Sequence, residues 1–365
     1  MPLSLLAVKN LKVERQGVNV LEILDFSIQN GESLAIIGPN GAGKTTFLLT
    51  LSCLLKPSQG DLIFKGQSIN LPEIAFSYRR KLAMVFQEAL LFDATVFNNI
   101  AAGLRIRKMD KKEIEKRVAK YAELVGVNHL LDRSARKLSG GEAQRTSLAR
   151  AFATEPEIIF LDEPLANLDA PSRSSLIDDL HRILRQTGTT AILATHDRLE
   201  ALRLADRLAV INEGRIIQIG MCDEVMNHPI DEVVASFVGM ETVFSGCVQK
   251  KCGGSFIVSV SGHNIEASGD FEVGDKVICC IRPEHIVIST RKLGEETSIR
   301  NNLPGSVVKI VPHGYFYKVH IDCGFPITSY ITHQSIENLS LKQGKPVTVS
   351  FKATAVHVIR REKRC

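Results

Sequence analysis

Short, wholly apolar runs that stop at a glycine or an acidic pair organise the first two thirds of the chain. Ser33-Leu34-Ala35-Ile36-Ile37 runs into Gly38, and an unbroken apolar run bounded by a turn residue predicts a strand buried on both faces. Ala7-Val8-Lys9-Asn10-Leu11 starts an earlier strand, so residues 5–37 read as strands. The pattern returns at Lys81–Phe86, at Ile158-Ile159-Phe160-Leu161 and at Thr190–Ala194. Between these runs the spacing becomes helical: a helix opens at Lys44, and Pro57 closes that region. From Thr95 to about Arg136 the chain is charged and helical, and Lys111 to Val125 alternates apolar with charged residues at helical spacing. Further helices are predicted over Ser172–Arg185 and after His196. From about Met240 the texture changes to short runs such as Ser255–Val260 and Lys276–Ile281, separated by Gly-Gly, Gly-Asp and Pro, which predicts a small all-β domain. The expected organisation is an α/β domain over 1–238, with a helical insert at about 95–150, and a β-rich domain over 239–365. The boundary near Gly239 is a shift of composition rather than a linker, and no repeat or low-complexity segment interrupts the chain.

Chemistry concentrates where the apolar runs stop. Gly38-Pro39-Asn40-Gly41-Ala42-Gly43-Lys44-Thr45 sits between a predicted strand and a helix, the context that a phosphate-binding loop requires. Its glycines let successive backbone N–H groups face phosphate oxygens, and the helix N-terminus adds a favourable field. Gly38, Pro39, Asn40, Gly41, Ala42, Gly43, Lys44, Thr45 and Thr46 are therefore candidate nucleotide ligands. Lys44 is expected on the β- and γ-phosphates and Thr45 on Mg²⁺. Asp162 and Glu163 end the apolar run that starts at Ile158. The first suits Mg²⁺, as strand-end aspartates do in phosphate-loop NTPases, and the second suits orienting and deprotonating an attacking water. Alone, an Asp-Glu pair is more often a helix cap or a salt bridge; Pro164 and the phosphate loop favour catalysis. Gln87, at a strand end, is a candidate contact for Mg²⁺ and water. His196, after Ala191-Ile192-Leu193-Ala194-Thr195, is a candidate contact for the γ-phosphate. Leu138-Ser139-Gly140-Gly141-Glu142 opens another helix, where Ser139-x-x-Glu142 has the spacing of a capping box.

Bulk properties narrow the picture. The chain has 365 residues, 44% hydrophobic and 23% charged, with net charge +5. That length suits two or three domains, and the modest charge does not demand nucleic acid. The basic clusters Arg105–Lys112 and Arg360–Arg364 read as solvated faces. Met1-Pro2-Leu3-Ser4-Leu5-Leu6 lacks the basic start and apolar core of a signal peptide, and no apolar run reaches the ~18 residues needed to cross a bilayer. Any membrane role is then expected to need other subunits. Eight scattered cysteines without a C-x-x-C pair are expected to be reduced thiols.

Residues 1 to about 238 resemble the nucleotide-binding subunit of an ABC importer. The resemblance rests on the phosphate loop, the Leu138–Glu142 signature and the Asp162-Glu163 strand end. Gln87 matches the Q-loop, Asn167-Leu168-Asp169 the D-loop, and His196 the switch histidine. It implies a P-loop NTPase cassette of α/β class with a helical insert, followed by a small all-β domain of OB/TOBE-like type. It also implies an ATPase that uses ATP and Mg²⁺, works as a homodimer on integral-membrane permeases at the cytoplasmic face of the membrane, and depends on a periplasmic or lipid-anchored binding protein. In that arrangement Ser139, Gly140, Gly141 and Asp169 contact the nucleotide of the opposite subunit. A carboxylate facing phosphate would be repelled, so Glu142 is expected to face its own cap. The family commonly stacks adenine on an aromatic residue, but Val13-Glu14-Arg15-Gln16-Gly17 contains none, so either Arg15 stacks on the base or adenine is held loosely.

The C-terminal domain resembles the molybdate-binding (mop) type of module in Thr297–Gly305, Ile331–Ser335 and Phe351-Lys352-Ala353. The resemblance assigns Ser298, Arg300, Thr332, Ser335 and Lys352 to a regulatory oxyanion site, and hydroxyls with fixed cations suit such an anion. The implied cargo is molybdate or tungstate. Alternatives are sulfate, ferric iron, polyamine or sugar, with the β domain as scaffold only. A non-transport ABC ATPase acting on DNA or ribosomes is a remoter alternative, since such proteins usually carry a long coiled-coil insert or a second cassette.

Overall fold

The computed structural model describes residues 4–290 and 297–361. The start Met1–Leu3 and the end of the basic tail from Glu362, on which two of the readings above fall, lie outside the described residues. The chain forms two compact units, Met1–Val225 and Met226–Cys365.

The first unit runs β1 (Leu6–Arg15), β2 (Val18–Ile28), β3 (Ser33–Ile37), α1 (Lys44–Leu51), β4 (Gln59–Phe64), β5 (Gln67–Ser68), α2 (Pro72–Arg79) and β6 (Leu82–Val85). Helices α3 (Val96–Ile106), α4 (Lys111–Leu124) and α5 (Gly140–Ala153) follow. The unit closes with β7 (Ile158–Asp162), α6 (Ala170–Thr187), β8 (Thr190–Ala194), α7 (Arg198–Leu204), β9 (Arg207–Asn212) and β10 (Arg215–Met221). One sheet, in the order β2-β1-β4-β5, is antiparallel. The other, in the order β10-β9-β3-β8-β7-β6, is parallel except for β10 at its edge.

The apolar runs are explained by two cores on the faces of the parallel sheet. Ile159, Leu161, Ala191 and Leu193 pack into the core shared with α3, α4, α5 and α6. Their neighbours Ile158, Phe160, Ile192 and Ala194 pack into the core shared with α1 and the antiparallel sheet. Side chains alternate faces along a strand, so a strand covered on both sides must be apolar at every position. Side-chain caps fix the helix starts. Thr95, Asp110, Ser139, Asp169 and Asp197 each accept a hydrogen bond from a first-turn amide of the helix that follows, which typically contributes about 1 kcal/mol per cap.

The second unit adds β11 (Thr242–Cys252), β12 (Ser255–Val260), β13 (His263–Ser268), β14 (Lys276–Ile281), β15 (Val287–Ser289), β16 (Asn301–His313), β17 (Phe316–Asp322), β18 (Pro326–Ile331), β19 (Pro346–Phe351) and β20 (Val356–Arg360). They form two five-stranded antiparallel sheets, β13-β12-β11-β14-β20 and β15-β19-β16-β17-β18, around one core. Residues 226–238 fold with this unit, ahead of the composition shift at Gly239. Arg282 explains why: it donates to the carbonyls of Met226 at 2.6 Å and Val238 at 2.8 Å. His357 Nε2 lies 2.9 Å from the Pro229 carbonyl as well. Among the described residues six cysteines are free thiols, but Cys247 is disulfide-bonded, which corrects the expectation of reduced thiols throughout. Among the described residues no helix is long and apolar enough to cross a membrane.

Candidate functional site

Backbone geometry makes the phosphate loop. A Cβ at Gly38 would lie 2.1 Å from the Ile211 carbonyl oxygen on β9, so only glycine passes there. Gly41 and Gly43 have φ of +82° and +104°, a region that side chains other than glycine's disfavour. The loop is pinned by hydrogen bonds from the Ala42 amide to the Pro39 carbonyl (3.1 Å) and from the Gly214 amide to the Ala42 carbonyl (2.9 Å). Helix α1 begins at Lys44 without a side-chain cap, which leaves first-turn amides open to an anion. Lys44 is buried and folds back, donating to the carbonyls of Gly38 (2.8 Å) and Pro39 (3.0 Å). Burial pulls its pKa below the usual ammonium value, against the attraction of Glu163 and Asp162.

Two acidic residues close the site at the end of β7. Asp162 is 6% exposed and its Oδ1 accepts from the Thr45 hydroxyl at 3.1 Å. Burial raises its pKa above the ordinary aspartate value; Glu163 adds to this, whereas the Thr45 hydrogen bond and Lys44 act against it. Asp162 and Thr45 offer two hard oxygens side by side, with a buried carboxylate whose charge Lys44 offsets only in part. That donor set fits Mg²⁺, which is commonly held by one or two protein oxygens while water and phosphate supply the rest. Glu163 has a left-handed φ of +43°, a strained backbone for a residue with a long side chain. Its amide is held by the Ala194 carbonyl at 2.9 Å, and its Oε2 lies 3.1 Å from His196 Nδ1. Gln87 is exposed just beyond β6.

Lys44, Thr45, Asp162, Glu163 and His196 thus form one connected group. The signature residues form another. Ser139 caps α5, and Glu142 completes the capping box with its Oε2 2.7 Å from the Ser139 amide. That hydrogen bond, helped by Arg133, holds the Glu142 carboxyl below the usual range. A Cβ at Gly141 would touch Leu168 and Ser172, and one at Gly140 the Asn167 carbonyl. The signature therefore lies against the segment that Asp169 ends, and Ser139, Gly140 and Asp169 are all exposed. Arg15 is exposed beside the β1–β2 turn, where it pairs with Val18.

Three residues that sequence reasoning passed over join the first group. Glu200 is 2% exposed; its Oε2 accepts from the Thr195 hydroxyl at 2.5 Å and its Oε1 from Arg173 Nε at 2.7 Å. The only local signal is the Asp197-x-x-Glu200 spacing, which reads as an ordinary capping box.

The candidate oxyanion residues divide within the chain. Thr332 caps the short helix His333–Asn338, with its hydroxyl 3.0 Å from that of Ser335. Arg300 and Lys352 instead flank the Asn301–Phe351 pair of β16 and β19, and Ile299 and Lys352 line one cleft of about 320 Å³ with His285. Ile331 pairs with Tyr317, opposite Pro312, so the two hydroxyls and the two cations belong to opposite ends of β16. Ser298 is exposed.

Comparison with known proteins places this geometry. The ABC transporter family profile matches residues 21–166, and the TOBE domain profile matches 297–358. The chain is 37% identical to the molybdate/tungstate import ATP-binding protein WtpC of Pyrococcus horikoshii over 97% of this chain and 99% of that one. It is 32% identical to the spermidine/putrescine import ATP-binding protein PotA of Borreliella afzelii over 98% and 99% of the two chains. The cbiO1 structure from Clostridium perfringens, part of the ABC transporter complex cbiONQ, superposes with a TM-score of 0.58 at 31% identity, covering 65% of this chain and 95% of that one.

Two substitutions test the site. Because burial raises the Asp162 pKa, its protonated form favours the fold, and that stabilisation is lost as pH rises through the folded-state pKa. Asp162→Asn should therefore raise the Tm of the nucleotide-free protein at pH 7 by roughly 2–4 °C per kcal/mol recovered, with the gain shrinking in acid. It should also lower Mg²⁺-dependent ATP hydrolysis at least ~100-fold. Scanning calorimetry of the variant showing an unchanged or lower Tm would count against this account. Glu142→Gln keeps a side-chain acceptor for the Ser139 amide, so its ATPase rate should stay within about threefold of wild type; a collapse of the rate would assign Glu142 to the chemistry.

Proposed function

The chain belongs to the ABC transporter ATP-binding proteins and is an ATPase, and we propose that it drives the uptake of an oxyanion, molybdate or tungstate. The observation that carries the cargo is similarity along nearly the whole chain, β unit included, to a protein named for molybdate/tungstate import. The β unit adds only one cationic pair to this: Arg300 and Lys352 flank the Asn301–Phe351 pair at one end of β16 and suit an anion, whereas the Thr332 and Ser335 hydroxyls lie at the other end and share no site with them. Polyamine import is the second reading, favoured by relatives of similar identity that are named for spermidine/putrescine import.

In the proposed cycle two copies close on ATP. In each site Lys44 and the loop amides hold the phosphates, and Ser139, Gly140, Gly141 and Asp169 of the other copy meet the γ-phosphate side. Thr45 and Asp162, with Gln87, would hold Mg²⁺, which when bound supplies charge neutralisation at the β- and γ-phosphates. Glu163 Oε2 takes a proton from the attacking water as the water oxygen bonds the γ-phosphorus, and the bond to the β-phosphate oxygen breaks. His196, against the same carboxylate, orients Glu163 and faces the leaving phosphate. Closure and reopening move integral-membrane permeases that receive cargo from an external binding protein, with this chain peripheral on the cytoplasmic face. Oxyanion bound to the β unit and preferring the open state would hold the cassettes apart when cytosolic anion is plentiful.

The test is ATPase activity of the chain with its permeases in proteoliposomes. Binding protein loaded with molybdate or tungstate should raise the rate several-fold, and spermidine should leave it at baseline. Stimulation by spermidine and not by either oxyanion would replace the first reading with the second.

A further inference from the structure

An ion-pair network centred on the buried Glu200 links the helix behind the signature to the histidine that touches Glu163. Arg173 lies one turn into α6, its amide bonded to the Asp169 carbonyl at 2.9 Å. Its guanidinium meets Glu200 Oε1 through Nε at 2.7 Å and Nη2 at 2.5 Å, and Nη2 also meets Asp197 Oδ2 at 3.1 Å. The other oxygen of Glu200 accepts from the Thr195 hydroxyl at 2.5 Å, and that hydroxyl in turn accepts from the Asp197 amide at 3.0 Å. Thr195 and Asp197 are the two chain neighbours of His196. The Thr195 amide is anchored separately on the Ile36 carbonyl of β3, two residues before Gly38, at 3.1 Å.

His196 itself is exposed, and its side chain is 54% accessible; among the described residues its ring has a single hydrogen bond, the 3.1 Å contact with Glu163. Packing therefore does not fix its ring, and the backbone on either side must. A carboxylate only 2% exposed, as Glu200 is, is costly unless every lone pair is engaged. Apolar side chains of similar volume could hold α7 against α6 at no loss of stability, so a fold-only role does not require this pair.

We propose that Arg173, Glu200 and Thr195 are positioning residues for hydrolysis. They make the placement of His196, and through it the Glu163 carboxylate, depend on where the Asp169 end of α6 sits. The inference rests on the proposed catalytic role of Glu163 and deepens it: the same α6 end carries Asp169, which in that reading faces the second copy. Arrival of the second copy would then be transmitted to the water-activating group through Arg173 and Glu200, a coupling of hydrolysis to closure.

The experiment measures steady-state ATPase kinetics and nucleotide affinity of four variants in the full chain. Thr195→Val removes the hydroxyl between Glu200 and the His196 loop while leaving the ion pair. It should lower kcat about 10- to 100-fold with KM for ATP and ATP affinity within twofold of wild type, and Thr195→Ser should restore most of kcat. Arg173→Met/Glu200→Leu replaces the pair by apolar groups and controls for folding; it should melt within a few degrees of wild type yet show the same loss of kcat. Wild-type kcat in Thr195→Val or in a folded Arg173→Met/Glu200→Leu chain would overturn the proposal, as would failure of Thr195→Ser to recover activity. Glu163→Gln separates the two readings. If it retains wild-type kcat, the catalytic assignment falls; if it is inactive while Thr195→Val is fully active, only the positioning role falls.

Discussion

In the parallel sheet Ile36 lies opposite Ala194, and Ala194 opposite Asp162. The candidate phosphate loop and the candidate catalytic residues all leave the sheet within three residues of that level. Gly38 follows Ile36 on one strand, Thr195 and His196 follow Ala194 on the next, and Glu163 follows Asp162 on the third. A slip of one residue in either pairing would exchange the faces of an entire strand and set its two cores against each other. The two-sided apolar packing that holds the register is thus also what sets the 3.1 Å separations of Thr45 from Asp162 and of Glu163 from His196. Ligand sites at the carboxyl ends of parallel strands are the general outcome of such folds, and here the left-handed backbone at Glu163 turns its side chain across to the neighbouring strand.

That dependence explains what was legible in the sequence. Strands buried on both faces must be apolar without interruption, so β3, β7 and β8 were visible as runs, and the groups that terminate them were visible as candidates. The phosphate loop is contiguous and needs glycine for reasons local to it, and the capping box at Ser139 and Glu142 is equally local. The network of Arg173, Glu200 and Thr195 was not legible, because its partners come from a helix and a loop that are adjacent only in space. The two cores that divide alternate side chains of one strand were hidden for the same reason.

The β unit shows the limit of motif reading from the other side. Its strands were predictable from turn residues and alternation, but the five candidate anion ligands were grouped by resemblance alone. The register of β16 with β17 and β19 draws them apart, with cations at one end and hydroxyls at the other. The segment 226–238 shows a similar gap: it joins the β unit through Arg282, whose two long-range bonds to backbone carbonyls leave no trace in composition.

Both units serve one claim, that ATP is held between two copies and that its hydrolysis is conditional on their closure. The structure of the Glu163→Gln chain with ATP and Mg²⁺ tests it most directly. The account predicts each γ-phosphate within about 3 Å of Lys44 from one copy and of Ser139 from the other, with Asp162 and Thr45 on the metal. A γ-phosphate bound by Lys44 but open to solvent, with no signature residue of a second copy near it, would contradict the account.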